Sequence, residues 1–167
     1  IEAKVKVFGY ALVNLCGFSH CAVMLFQQSD ELPQVHLYSA SDAPPLRPFL
    51  SEKFALPRYL CDFIASSPTL QVEHIYCLSG TQISAIQSAL ENGIKVPDEW
   101  LSSALCRHQL ERFFYDRDIG LFLFLLSGNT VLGYITLELD APSDDAHRRM
   151  AFLQHQLRLA SLLTDII

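Results

Sequence analysis

Two apolar segments in the last third of the chain, residues 120–126 and 130–139, are separated by only Ser-Gly-Asn at 127–129. So short a connection, with glycine and asparagine in it, is typical of a tight turn between antiparallel strands. Within the second segment, every other residue from Val131 to Leu139 lies on one face, as in a strand packed against a core. The pattern predicts a β-hairpin, and the rest of the chain must fold around it.

Residues 1–16 fit two different secondary structures. Apolar and charged residues alternate over residues 1–7, which is typical of a strand. A second apolar series runs through to Leu15 with the 4-3-4-3 spacing of an amphipathic helix, and Gly17 follows where a helix would end in a left-handed residue. We favour the helix, because its series continues to Leu15 whereas the alternation stops at Phe8.

A second hairpin is predicted nearer the N-terminus. Residues 20–26 are apolar on both faces, residues 34–38 alternate, and the polar stretch at 28–33 between them is typical of a turn.

A proline-rich loop then leads to a predicted helix at residues 57–66, with Pro57 suited to its first turn. The remaining predicted elements are a strand at residues 71–78, a helix at 83–90 closed by Asn92 and Gly93, and a short helix that opens at Pro97.

A long helix is predicted from Ser143 and Asp144, which would cap it, to the end of the chain. Its polar positions form one narrow stripe, whereas a helix packed on a single sheet needs an apolar arc of only about 100°. The helix therefore has apolar surface for two partners. The second partner is either another copy of the chain or the helix at residues 1–16. The polar stripe consists of Gln154, Arg158, Ser161 and Asp165.

Composition excludes several classes of protein. The 167 residues are 50% apolar and 18% charged, which predicts one domain, residues 1–167, with a substantial core. A net charge of −6 with dispersed arginines lacks the basic patch that nucleic-acid binding requires. There is no apolar run of about 20 residues and no signal peptide, which predicts a cytoplasmic domain without membrane contact. Because the chain begins with Ile1, we expect a fragment of a longer protein.

Two segments and the final helix carry a family resemblance. Residues 17–26 (GFSHCAVMLF) and 128–137 (GNTVLGYITL), followed by a leucine- and alanine-rich closing helix, resemble the GAF domain family of sensory modules, which are related to PAS domains. The resemblance implies an α+β fold. Its antiparallel central sheet, of five to six strands, would carry the N- and C-terminal helices on one face. Short helices and loops would cover the other face. In the closing helix the matching residues are Leu157, Leu159, Ala160, Leu162 and Leu163.

The same resemblance implies a function. Such domains belong to bacterial signalling or transcription-control proteins, form homodimers through their terminal helices and pass a signal to an attached output domain. Both terminal helices of this chain carry apolar stripes that would suit such a dimer. The residues expected at the dimer interface are Val5, Phe8, Leu12, Leu15, Met150, Leu153, Leu157 and Ala160.

The resemblance also implies a small-molecule pocket, which the middle of the chain would line. Aromatic and polar-tipped side chains are the natural candidates for such a lining. The alternative is that these side chains pack a second core, in which case the domain is a ligand-free scaffold for protein–protein dimerisation. The candidate lining residues are Phe63, Tyr76, Trp100, Cys106, His108, Phe113 and Tyr115.

The five cysteines offer a third hypothesis, a cysteine-based redox sensor or an enzyme similar to the free-methionine-sulfoxide reductases of the family. The glycine-flanked cysteine of those enzymes is missing, and in bilin-binding relatives a histidine follows the attachment cysteine directly, whereas Arg107 stands between Cys106 and His108. The cysteines are scattered without a CxxC pair, and no ligand set for a metal is evident. The sequence predicts no catalytic residues, no metal and no cofactor.

Overall fold

The computed structural model describes residues 2–40, 45–67, 71–72, 75–140 and 145–166. Over these residues the chain forms five α-helices and six β-strands. The helices are α1 (Glu2–Asn14), α2 (Arg58–Ala65), α3 (Gly80–Glu91), α4 (Ser103–Glu111) and α5 (Ala146–Ile166). The strands are β1 (His20–Leu25), β2 (Gln34–Ser39), β3 (Gln71–Val72), β4 (Ile75–Ser79), β5 (Ile119–Ser127) and β6 (Thr130–Glu138).

The strands form one antiparallel sheet in the order β2-β1-β6-β5-β4-β3. Both predicted hairpins are present, as β1–β2 and β5–β6, and they meet through the central pair β1–β6. The single strand predicted at residues 71–78 is wrong. Val72 and Ile75 are register partners in an antiparallel pair, so residues 71–72 and 75–79 belong to two strands that run in opposite directions.

One side of the sheet, here called the helical face, is covered by α1, α4 and α5. Side chains from the three helices form one core with alternate residues of β1, β4, β5 and β6. The N- and C-terminal helices therefore share a face, as the resemblance implied, and the fold class is confirmed. The buried residues that the helices contribute are Val5, Phe8, Leu12, Val13, Cys106, Leu110, Leu153, Leu157 and Ala160.

The opposite side, here called the strap face, is covered by residues 45–57 together with α2 and α3. Two short 3-10 turns in this strap, Pro48–Leu50 and Glu52–Phe54, lay Phe49 and Leu50 on the sheet. The helix α2 confirms the prediction at residues 57–66, and α3 ends before Gly93, which has a positive φ of 66°. Short helices and loops thus cover this face.

The observed ends of the helices can be compared with the boundaries that the sequence predicted. Gly17 has a φ of 77° just after α1, which confirms the predicted helix and its end. The short helix expected at Pro97 is a 3-10 turn, Asp98–Leu101, and α4 starts only after Ser102, whose hydroxyl accepts a hydrogen bond from the Leu105 N–H.

The predicted caps of α5, Ser143 and Asp144, lie outside the described residues. The Asp145 carboxylate accepts hydrogen bonds from the His147 and Arg148 N–H groups at the start of this helix. Across the described part of the chain, no helix combines the length and the apolar character that a membrane span requires.

Candidate functional site

The residues predicted to line one pocket lie on both sides of the sheet. Phe63, Tyr76 and Trp100 belong to the core of the strap face. Cys106 and Phe113 belong to the core of the helical face, because α4 packs there. The remaining two candidates, His108 and Tyr115, are exposed. The sheet therefore separates the predicted set, and the seven side chains do not surround a common cavity.

On the strap face, where the resemblance implied a pocket, aromatic side chains pack against one another. Neighbouring ring centroids lie 5.1 to 6.1 Å apart, two pairs in edge-to-face and two in tilted arrangements. The Tyr134 hydroxyl within this row accepts a 2.8 Å hydrogen bond from the Leu56 N–H of the strap. Protein side chains thus fill this part of the face. In order of contact, the row is Phe49, Phe122, Tyr134, Phe124 and Tyr76.

The residues predicted at a dimer interface are also placed differently from the expectation. Six of the eight are buried against the chain's own sheet, where no partner could reach them. Met150 is partly buried beside the same core, and only Leu15, 80% exposed, lies at the surface. The apolar stripes were real, but one sheet uses them within a single chain. The six buried residues are Val5, Phe8, Leu12, Leu153, Leu157 and Ala160.

Helix α1 carries a second stripe that the sequence reasoning missed. Ala3, Val7, Tyr10 and Asn14 are exposed and follow one another at 4-3-4 spacing on the side of α1 opposite the buried Leu12, and the Tyr10 ring also packs edge-to-face against Tyr38 of β2, with 5.2 Å between the ring centroids. This spacing is the heptad pattern of helices that pair side by side. We call these four residues the outer stripe. A search for two offset apolar series in residues 2–14, instead of one, would have found it.

A buried ion pair joins the strap to the end of the sheet. Arg47 and Glu138, only 4% and 3% exposed, form a 3.1 Å contact, and the Arg47 N–H also donates to the same carboxylate. The Arg47 guanidinium donates further hydrogen bonds to the carbonyls of Asp116 and Ile119. Burial lowers the pKa of Arg47, and the Glu138 charge opposes that shift. The pair thus holds three separate segments together.

All five cysteines are free thiols and are buried. Burial raises the pKa of each of them, and that of Cys106 reaches about 11 even though its sulfur accepts a 3.2 Å hydrogen bond from the Cys77 N–H. A thiol is reactive as its thiolate, so these side chains are in an environment that suppresses thiol chemistry. This geometry does not favour the redox hypothesis.

We therefore expect the native protein to resist modification by a thiol reagent at about pH 8, since all five thiols are buried and burial raises their pKa values further above that pH. In denaturant all five cysteines should react within minutes. Counting modified thiols by mass spectrometry, before and after unfolding, measures both states. Rapid labelling of Cys106 in the native protein would revive the redox hypothesis.

A cleft lies between the end of α4 and the first turn of α5, with a volume of about 390 Å³. We call it the α4–α5 cleft. Its lining combines an acidic residue, two residues that can carry positive charge and three large apolar or aromatic side chains. The Arg149 guanidinium lies 4.7 Å from the centre of the Tyr115 ring. The lining residues are Glu111, Phe114, Tyr115, His147, Arg149 and Met150.

Of the seven pocket candidates, only Tyr115 lines this cleft. No local pattern could have indicated this cleft, because its two sides are 32 or more positions apart in the chain, from Tyr115 to His147. Among the described residues, no group of three histidine, cysteine or carboxylate side chains is arranged to hold a metal ion.

Comparison with known proteins gives little further information. The chain matches no known family model and no curated protein. One solved structure, residues 122 to 287 of a methyl-accepting chemotaxis protein, aligns over 98% of this chain and 88% of its own, with 9% identity and a TM-score of 0.40. So loose a likeness carries no argument about function.

Proposed function

We propose that this chain is a sensory or regulatory domain of the GAF type, from a bacterial signalling or transcription-control protein. It acts as a homodimer and passes a signal to an attached output domain. The observation that supports the proposal is the outer stripe of α1, an exposed heptad-spaced series on a helix whose other side is already fixed to the sheet. A helix held in this way presents its outer residues to a partner without having to order itself on binding.

The chemistry of the outer stripe suits a second copy of the same helix. Val7 is 71% exposed, and Tyr10 adds an aromatic ring that is half exposed. Asn14 occupies the last position of the stripe, and a polar residue at one such position fixes register and partner number in paired helices. Two copies of α1 would therefore bury Val7 and Tyr10 and pair their asparagines.

A change at this interface has a path to the C-terminal helix. The Gln156 side-chain amide of α5 donates a hydrogen bond to the Cys16 carbonyl, just after α1. Leu12 of α1 lies in the same buried core as Leu153 and Leu157 of α5. Because packed side chains resist compression, a shift of α1 displaces α5, whose 21 residues span about 30 Å. This helix would carry the signal to the output domain.

The test is to replace Val7 by glutamate. A carboxylate in the centre of the paired stripe would face its own copy and lose water on association, so the dimer should dissociate. Analytical ultracentrifugation at high micromolar concentration should show a dimer for the natural sequence and a monomer for Val7→Glu.

Ile94→Glu is the matched control. Ile94 is 62% exposed and lies outside the outer stripe, so this variant adds the same charge at a comparable surface position. It should remain dimeric. A monomeric natural protein, or equal dissociation of both variants, would count against the proposal.

A ligand-free dimerisation scaffold is the second candidate, and the aromatic packing on the strap face favours it. Native mass spectrometry separates the two, since a sensor that retains its ligand shows extra mass that disappears on denaturation. A dimer of clean mass that binds none of the small molecules offered to it would favour the scaffold.

A further inference from the structure

We propose that the outer edge of β2 binds an extended peptide segment of a partner protein, which adds to the six-stranded sheet as a further strand. The segment, here called the guest strand, runs antiparallel to β2, is mostly apolar and carries one acidic side chain. This inference goes beyond the proposed function, because it assigns a docking surface for another protein and not for a second copy of the chain.

The two edges of the sheet differ in how well they are protected. Natural proteins guard an exposed edge with a short strand, a charged side chain, a proline or a bulge. At one edge, β3 has only two residues. At the other, β2 has six residues, pairs with β1 without a shift in register, and has the sequence QVHLYS, which contains neither a lysine, an acidic residue nor a proline. The edge of β2 is therefore open to a further strand.

The hydrogen bonds between β1 and β2 show which backbone groups of β2 face outward. The Ala40 N–H donates to the Ser19 carbonyl, in continuation of the β1–β2 register. In an antiparallel pair, successive residues direct their N–H and C=O groups alternately toward the neighbouring strand and away from it. Every second residue, counted back from Ala40, thus faces β1. The residues between them face outward, and among the described residues their backbone groups have no hydrogen-bond partner. These outward residues are Val35, Leu37 and Ser39.

The outward groups define how a guest strand would pair. A guest that spans residues 35–39 of β2 would place its third residue opposite Leu37, and its first and fifth opposite Ser39 and Val35. Each of these pairs exchanges two hydrogen bonds, as in any antiparallel ladder. The N–H groups of the second and fourth guest residues would point away from β2.

The side chains beside the edge favour apolar guest residues. Directly opposite residues in a sheet lie on the same face and contact each other. Leu37 is 44% exposed, so the third guest residue would cover it. On the helical face, the second guest residue would lie opposite Tyr38, whose ring is packed against that of Tyr10. An aliphatic side chain at each of these two positions would remove apolar surface from water.

The charge beside this edge is positive. Gly9 of α1 lies against the Tyr38 ring, which a Cβ atom at Gly9 would overlap. Lys6 is exposed one turn earlier on the same side of α1. Because α1 ends near the start of β1, where the C-terminal end of β2 pairs, its earlier turns lie toward the N-terminal end of β2. A carboxylate on the fourth guest residue, opposite His36, would therefore approach Lys6.

The test uses the peptide acetyl-Thr-Ile-Leu-Glu-Val-amide, which follows this pattern, and the full chain. Isothermal titration calorimetry should give a Kd of about 100 μM or tighter. Hydrogen exchange followed by NMR should show rapid exchange of the Val35, Leu37 and Ser39 amides in the free protein. The peptide should slow their exchange about tenfold or more.

Two outcomes of this experiment would overturn the proposal. One is the absence of binding at a peptide concentration of about 1 mM. The other is slow exchange of the three outward amides before the peptide is added, because the edge would then already be covered by the chain itself or by a second copy.

N-methylated peptides separate strand addition from simple apolar contact. Methylation of the leucine nitrogen removes the N–H that would donate to the Leu37 carbonyl, and should weaken binding about tenfold or more. Methylation of the isoleucine nitrogen is the matched control, since this N–H points away from β2, and should change the Kd by less than about threefold. Equal losses for the two peptides would mean that no strand is added.

Variants at Leu37 test the same hydrogen bonds from the side of the protein. Leu37→Pro removes an outward N–H that the β1–β2 pair does not use, and edge strands accept proline at such positions. It should weaken binding about tenfold or more, whereas Leu37→Ala, which keeps the N–H, should weaken it less. Equal binding by Leu37→Pro and Leu37→Ala would count against the proposal. The methylated peptides decide the matter should Leu37→Pro fail to fold.

The acidic position of the guest has its own matched pair of variants. Lys6→Gln should weaken binding about threefold, as expected for one exposed charge pair. Lys4 is exposed on a different side of α1, so Lys4→Gln should bind as the natural sequence does. Equal binding by these two variants would overturn the assignment of the carboxylate.

Failure of this proposal is distinct from failure of the proposed function. The edge of β2 is not part of the outer stripe, and Tyr10 borders both surfaces. A dimer that binds no peptide would overturn the edge assignment alone, and a monomer that binds the peptide would overturn the dimer mechanism alone.

Discussion

Replacement of Arg47 by methionine is expected to lower the free energy of unfolding by about 3–5 kcal/mol. Methionine fills similar space but leaves the buried Glu138 carboxylate without its partner. It also removes the hydrogen bonds to the Asp116 and Ile119 carbonyls and the contact of the guanidinium with the Phe113 ring, whose centre is 3.8 Å away. Urea unfolding followed by circular dichroism measures the loss.

Other groups near Glu138 cannot compensate fully. The Arg47 backbone N–H would still donate to the carboxylate at 3.1 Å, and Arg117 lies 3.6 Å from it, but the Arg117 side chain is half exposed and its charge is screened by water. A single hydrogen bond to a carboxylate is worth about 1.5–3 kcal/mol, which is less than the cost of an unpaired buried charge.

The chain contains a matched control for this prediction. Arg112 and Asp116 form an ion pair with the same 3.1 Å separation, but both side chains reach solvent. Arg112→Met should therefore cost at most about 1 kcal/mol. A double variant, Arg47→Met with Glu138→Leu, should recover much of the stability, because it removes both charges together. Equal losses for Arg47→Met and Arg112→Met would mean that burial of the pair has no energetic consequence.

The Arg47–Glu138 ion pair, unlike the two hairpins, could not be predicted from the sequence. The hairpins β1–β2 and β5–β6 were predicted because their signals are local: a polar turn between two apolar runs. Arg47 follows a proline-rich loop and Glu138 ends a strand, 91 positions later, and nothing in either neighbourhood indicates the other. Contacts of that range depend on how the whole sheet is assembled.

The helices show the same division between local and long-range information. The apolar series of α1 predicted its existence and its buried side, yet could not say whether the chain's own sheet or a partner covers it. The structure assigns Leu12 and Leu157 to the chain's own core. In α4, Cys106 was predicted to line a pocket, but the sequence could not show which of the two faces of the sheet it meets, and it lies in the core of the helical face. The predicted interface residues depended on the first of these choices, and the predicted pocket residues depended on the second.

Gly133→Ala is expected to destabilise the fold by about 3 kcal/mol or more. A Cβ atom at Gly133 would overlap the carbonyl oxygen of Met24 on the neighbouring strand β1. Because that oxygen belongs to the backbone, the clash cannot be relieved by rotating a side chain, and β1 and β6 would have to move apart at the centre of the sheet. Overpacking of a well-packed interior commonly costs about 1–3 kcal/mol, and a backbone neighbour places this site at or above the upper end. Thermal and urea unfolding measure the effect.

Gly93→Ala is the comparison that separates steric overlap from backbone strain. Gly93 has a φ of 66°, which alanine adopts at a cost of about 1–2 kcal/mol, but a Cβ atom there would touch nothing within 4 Å. Gly133 has the opposite combination, crowding without a left-handed backbone. If crowding at the β1–β6 pair dominates, Gly133→Ala loses clearly more than Gly93→Ala. If the order is reversed, the central strands have room to separate, and the β1–β6 pair is less tightly packed than the overlap at Gly133 indicates.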